Sequence, residues 1–292
     1  MKYRSVMMIL NYNDMKVTEK LARSVIDYEC PDRVIIVDNC SPDGSYDRLR
    51  DAFKKSEADV IKTSENGGYA KGNNFGIRYA IEHYDPEYIF VANPDIAVSE
   101  KTLANMLKMM DKEPDYAVMA PLVRQGYNVW KLPGFAGMIE SLFLVWFNLD
   151  KRRIKKKLIA SGRPLADAGV VEGSFFVIRT EDYLKAGGFD ERTFLYAEEI
   201  ILAKRLKDAG KKVGVLPDER YDHMHSASIK KEYASSKCRA FPNFYKSFRI
   251  YNKYYLHTNA VQDMIFYICY GLAYFERFIY DRYHRVPLKR RG

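Results

Sequence analysis

From Val6 to about Asn128, short apolar runs alternate with amphipathic stretches, and this alternation limits the chain to few architectures. The apolar runs read as strands buried on both faces, and the segments between them carry apolar residues at three- and four-residue spacing, as helices packed on a sheet do. Strands separated by helices become parallel neighbours. The pattern therefore predicts an α/β fold, a mixed but mostly parallel sheet with helices on both faces. Strands are expected over 6–11, 34–38, 59–63, 88–92 and 117–120, and helices over 17–28, 46–55, 73–83 and 102–111. In the first helix Leu21, Val25 and Tyr28 share the face that meets the sheet.

With 292 residues, 47% of them hydrophobic, the chain can bury a large core and still carry an appendage. Between 127 and 169 the periodicity weakens. There Leu142-Phe143-Leu144-Val145-Trp146-Phe147 precedes Lys151-Arg152-Arg153 and Lys155-Lys156-Lys157, a segment that either meets an anionic membrane or covers the sheet with a solvated basic end. A second ordered stretch is expected: a strand over 173–179, a turn at Gly187-Gly188, a helix over 198–209 and a strand over 212–216. Beyond about 233, Tyr and Phe interleave with Lys and Arg up to Lys289-Arg290-Arg291. This composition predicts a helical appendage over 234–292, following a domain over 1–233 that divides at 128. Basic aromatic helices of this kind meet a membrane interface, bind single-stranded nucleic acid or pack on the core.

The net charge of +9 asks for an anionic partner: a nucleotide, a nucleic acid or an acidic membrane surface. Cys30, Cys40, Cys238 and Cys269 form no CxxC pair, so neither a zinc site nor a disulfide framework is expected, and a reducing cytoplasmic setting is the default. The apolar stretch at 6–10 is too short for a signal peptide, and the runs at 141–149 and 264–275 fall below the roughly 18–20 residues that span a bilayer.

Several polar groups stand at predicted strand ends, where open α/β sheets bind ligands. The run 88–92 stops at Asn93-Pro94-Asp95, a turn that also presents a carboxylate. The first strand ends in Asn11-Tyr12-Asn13 and the second in Asp38-Asn39. Asp38 can accept hydrogen bonds from a base imide or a ribose hydroxyl. Asn66-Gly67-Gly68-Tyr69-Ala70-Lys71-Gly72-Asn73-Asn74 runs into a helix, and its glycines and Lys71 suit an anion, although it matches neither GxGxxG nor GxxxxGK[ST]. Glu198-Glu199 opens a later helix, where acids also complement the dipole. His223-Met224-His225 follows the last strand, and a neutral imidazole there can bind metal or simply be polar surface.

The order Asn-Tyr-Asn, Val-Asp-Asn-x-Ser-x-Asp-Gly-Ser, Asn-x-Gly-Gly-Tyr-Ala-x-Gly-Asn-Asn and Asn-Pro-Asp resembles the inverting family 2 glycosyltransferases of the GT-A fold. Within them it is most similar to the rhamnosyltransferase-type enzymes of bacterial surface polysaccharide assembly. The resemblance runs from about Ser5 to Ser228. It implies a nucleotide-sugar half over 1–128, an acceptor half over 129–233 and a donor of dTDP-rhamnose type, although UDP-sugar enzymes share these motifs. The acceptor would be a saccharide or a lipid-linked saccharide, met at the cytoplasmic face of the inner membrane. Asn11, Asn13, Asp38, Asn39, Gly68, Lys71, Asn74 and Asn93 would contact the donor, and Asp95 with His223 would hold Mg²⁺ or Mn²⁺. Glu199, paired with Glu198, would be the base. Asn93 stands where the family has an acid and Glu199 where it usually has Asp; after the pair the helix continues Ile200-Ile201-Leu202, where the family often has another acid. Two rivals remain at this stage: a non-catalytic basic nucleic-acid binder, and a nucleotide-dependent oxidoreductase, which the missing GxGxxG disfavours.

Overall fold

The computed structural model describes residues 3–224 and 237–283, the side chains of residues 145–152 and 237 excepted. The first half alternates as expected: β1 (Ser5–Asn11), α1 (Met15–Val25), β2 (Arg33–Asp38), α2 (Ser45–Phe53), β3 (Ala58–Lys62), α3 (Gly68–Tyr84), β4 (Tyr88–Ala92), β5 (Ile96–Val98), α4 (Glu100–Lys112) and β6 (Tyr116–Val123). There follow β7 (Val129–Trp130), α5 (Phe135–Glu140), α6 (Leu144–Ala160), β8 (Ala166–Ala168), β9 (Val170–Val171), β10 (Phe175–Arg179), α7 (Thr180–Lys185), α8 (Glu198–Asp208) and β11 (Lys212–His223). Two long helices end the described chain, α9 (Lys237–Tyr255) and α10 (Ala260–Tyr283).

The main sheet runs β3-β2-β1-β4-β10-β6-β11-β5, with β8 also on β11; β7 pairs with β9 separately. β1 is parallel to β2 and β4, whereas β10 lies antiparallel between β4 and β6. Side-chain alternation divides each central strand between two cores. Val6, Met8 and Leu10 face the layer with α3, while Met7 and Ile9 face α1 and α4. Burial on both faces explains why these strands read as unbroken apolar runs. α3 can lie close to the sheet because Gly72 and Gly76 stand over it; a Cβ at Gly76 would meet Val37 at 2.5 Å.

Two expectations are corrected. The helix expected from 73 begins at Gly68, so the glycine segment is mostly its first turn. The strand expected to stop at 216 continues to His223, with a register shift between Leu216 and Arg220. β5 was not anticipated. The 142–147 segment runs into α6: Leu142, just before the helix, is fully buried, and Lys155 donates to the carbonyls of Val123 and Gly126.

The C-terminal helices share the core of the sheet. Phe241, Phe248, Tyr251, Phe266 and Ala273 belong to the same apolar cluster as β1 and α3. Ser247 donates to the carbonyl of Leu195 and Tyr251 to that of Pro133.

Candidate active site

The turn after β4 is fixed from two sides. The Asn93 amide donates to the Ser174 carbonyl at 2.8 Å, where β10 begins, and the Met224 amide donates to the Asp95 carbonyl at 2.8 Å, where β11 ends. The extra length of β11 matters here, because its last residues pair antiparallel with β5 and set His223 opposite Ile96. His223 Nε2 thus lies 3.3 Å from Asp95 Oδ1, and its Nδ1 lies 3.7 Å from Glu172 Oε2. Asp95 is 2% exposed. Burial works to lower the His223 pKa, but the hydrogen bonds and charges of Asp95 and Glu172 prevail and lift it to about 9.

At the ends of β1 and β2 Asn11 donates to Asp38 Oδ2 at 2.7 Å, and the Ser41 amide donates to Asp38 Oδ1 at 2.8 Å. Thr18 donates to Asn11 Oδ1, and the Asn13 amide donates to Ser41 Oγ. Asp38 is fully buried and knits the ends of β1 and β2 together. Asn39 donates to Asn66 Oδ1 and to the Gly68 carbonyl. Gly68 needs to be glycine: its φ is +85°, and a Cβ would fall 2.0 Å from the Phe194 carbonyl oxygen. The first amides of α3 are already engaged, Gly68 with Asn66 and Tyr69 with Phe194. Lys71 pairs with Glu65 and lines, with Lys62 and Arg78, a groove of about 460 Å³ beside the edge strand β3. Asn74 uses its whole hydrogen-bonding capacity inside the protein, donating to the Phe189 carbonyl and Glu191 and accepting from Tyr183 and the Phe189 amide.

The acidic pair is reached through strained backbone. Tyr196 and Ala197 have φ of 74° and 68°, two successive left-handed residues without glycine immediately before α8. Such residues cost about 1–3 kcal/mol each and persist where surrounding structure holds them. Here Phe244 of α9 packs edge-on against Tyr196, and Ser247 fixes Leu195. Glu199 Oε1 then accepts the Gly173 amide at 3.0 Å, while the Tyr69 hydroxyl donates to the Gly173 carbonyl. Glu198 is 2% exposed. Burial, then the charge of Glu199, pushes its carboxyl well above the usual range.

The segment Glu172-Gly173 therefore touches His223 on one side and Glu199 on the other, joining the Asp95 corner to the acidic pair. Tyr69 stands in the sequence only as part of the glycine motif, and Glu172 and Ser174 are not singled out there, because their contacts depend on residues tens of positions away. His225 lies outside the described residues, as do Ser228 and Lys289-Arg290-Arg291.

Among the described residues no group of three or more His, Cys, Asp or Glu side chains could hold a metal unaided. Asp95 and His223 nonetheless fit a hard divalent cation whose shell is completed by phosphate oxygens. As a ligand His223 would have to be neutral, since an imidazolium has no lone pair to give a metal.

This architecture is that of the GT-A glycosyltransferases. The solved mannosyltransferase PcManGT from Pyrobaculum calidifontis, in complex with GDP-Man and Mn²⁺, superposes with a TM-score of 0.61 at 16% identity, covering 97% of this chain and 76% of that one. The model of Glycosyl transferase family 2 matches residues 6–179, and the chain belongs to that family. It is 29% identical over 191 residues to the rhamnosyltransferase WbbL of Escherichia coli K12, covering 62% of this chain and 66% of that protein. It is 26% identical over 225 residues to the N-acetylglucosaminyl-diphospho-decaprenol L-rhamnosyltransferase of Mycobacterium tuberculosis H37Rv, covering 71% of each. The matches thus span about two thirds of the length of these relatives. Nothing in the comparisons supports the nucleic-acid alternative.

Proposed function

We propose that this protein is a metal-dependent inverting glycosyltransferase. It moves a sugar of rhamnose type from a nucleotide-diphosphate donor to a saccharide on a lipid carrier in polysaccharide biosynthesis. The observation that carries the reading is the junction at Glu172-Gly173, where a metal-competent pair, Asp95 and His223, meets a carboxylate, Glu199, fixed on a backbone amide. The relatives' names supply the rhamnose donor and the lipid-diphosphate acceptor.

In this reading the nucleoside sits against the ends of β1 and β2, organised by Asp38, with Asn11, Asn13, Asn39 and Asn93 shaping that side. Gly68, Lys71 and Asn74 act through the loop they hold. Asp95 and His223 would hold Mg²⁺ or Mn²⁺, which neutralises charge on the departing diphosphate. Glu199 takes the proton from the acceptor hydroxyl as the hydroxyl oxygen bonds to the anomeric carbon and the bond from that carbon to the diphosphate oxygen breaks. One displacement inverts the centre. Glu198, protonated, spares the base a second negative charge. An acceptor on a lipid carrier places the reaction at the cytoplasmic membrane face.

The test is thermal stabilisation and donor turnover across a panel of nucleotide sugars with and without Mn²⁺ or Mg²⁺. The reading expects a metal-dependent response to dTDP-rhamnose that Asp95→Asn abolishes. No response to any donor under either metal would end it.

A further inference from the structure

Helix α10 carries its charge inside and its apolar residues outside, the reverse of a water-facing helix. Between Met264 and Tyr280 its only charged residues are Glu276 and Arg277. Both are used inward. Arg277, 7% exposed, donates to the carbonyls of Leu142 and Ala273 and lies 3.6 Å from the centroid of the Phe241 ring, while Glu276 accepts the Leu144 amide at 3.0 Å. The opposite face presents Met264, Ile268, Leu272, Phe275 and Ile279, recurring every three or four residues and 40–61% exposed. Contiguous exposed apolar area of this kind marks a surface that is covered in use.

The charges around this face indicate what covers it. Lys246 and Arg249 form one exposed stripe on α9, beside α10, while Lys253 further along pairs with Asp263 at 3.3 Å: Arg249 lies 5.8 Å from the Tyr245 ring, which stacks on Tyr270 at 3.9 Å. Arg282 is exposed on the apolar side near the end of α10. An isologous contact with a second copy would bring these like-charged rims together. No helix among the described residues is long and apolar enough to cross a membrane.

We propose that α10 lies in the plane of an anionic lipid surface, its Met264 to Ile279 face in the acyl boundary and the α9 cations on the phosphate headgroups. This deepens the proposed function, and rests on it only in supplying the reason for a lipid surface, namely a lipid-borne acceptor.

The experiment is co-sedimentation of the full chain, without donor, with vesicles of phosphatidylcholine alone or containing about one third phosphatidylglycerol. Binding should require phosphatidylglycerol and weaken with salt. Ile268→Asp with Phe275→Asp should reduce partitioning by about tenfold or more, and Lys246→Glu with Arg249→Glu should reduce it and remove the salt sensitivity. Thermal melts verify that both double variants are folded. Equal partitioning of Ile268→Asp/Phe275→Asp and the natural chain overturns the proposal. So does absence of binding, or a dimer by light scattering that this variant dissociates. A chain that binds vesicles but turns over no nucleotide sugar would sink the transferase reading and leave this one standing.

Discussion

Glu198 and Glu199 are neighbours in sequence with opposite surroundings, one sealed in the core and the other set on the Gly173 amide. Their roles should separate accordingly. Glu199→Gln is expected to lower kcat by about 10²–10⁴ in steady-state donor turnover, while Glu198→Gln, which copies the protonated acid, should stay close to the natural enzyme. The sign of the linkage gives a second readout. A carboxyl whose folded pKa is raised contributes stability below its unfolded pKa and loses it as pH rises. Glu198→Gln should therefore gain in Tm relative to the natural chain as pH climbs above the ordinary glutamate value. Gly68→Ala should cost about 2–4 kcal/mol in denaturant titration, since both the φ and the Phe194 carbonyl oppose a Cβ. Strand-end acids such as Asp38 and Asp95 were legible because residue type and position suffice. The part Asn74 plays was not, because its partners lie more than a hundred residues on, at Tyr183, Phe189 and Glu191.

Among elements, β11 and α9 carry most of what the sequence concealed. The apolar signal of β11 ends at Leu216, but the chain stays extended past Pro217 because Arg220 and Tyr221 pair with Leu122 and Val123 on β6. Only that continuation brings His223 to Asp95. α9 was legible as helical by its composition; the residues that attach it were not. Its Tyr255 hydroxyl donates to Asp190 Oδ2 at 2.7 Å and accepts from Arg205, while Arg192 binds both Asp190 oxygens. Burial alone would raise the Asp190 pKa, but Arg192 and Tyr255 outweigh it and hold it at about 2. A depressed carboxylate contributes stability above the ordinary aspartate value, and that stability is lost as pH falls towards the folded value. Tyr255→Phe should cost about 1 kcal/mol at neutral pH. It should also move the acid unfolding midpoint, followed by circular dichroism, to higher pH.

For the molecule as a whole, the alternation of the first half declared the parallel part of the sheet, since local periodicity is all such strands require. The place of the antiparallel strand in the sheet was invisible. β10 reads as an apolar strand, but its place between β4 and β6 is a matter of long-range pairing. That insertion bears on how the chain comes into being. When synthesis has reached residue 128, β4 and β6 exist but the strand that joins them has not been made, and β4 has an open edge. Open apolar edges recruit other chains. A fragment of residues 1–128 should therefore collect in the insoluble fraction on expression, while the full chain stays in the supernatant. The first 128 residues are thus completed by a strand that comes after them, and a nascent chain is expected to need protection until residue 179 has emerged.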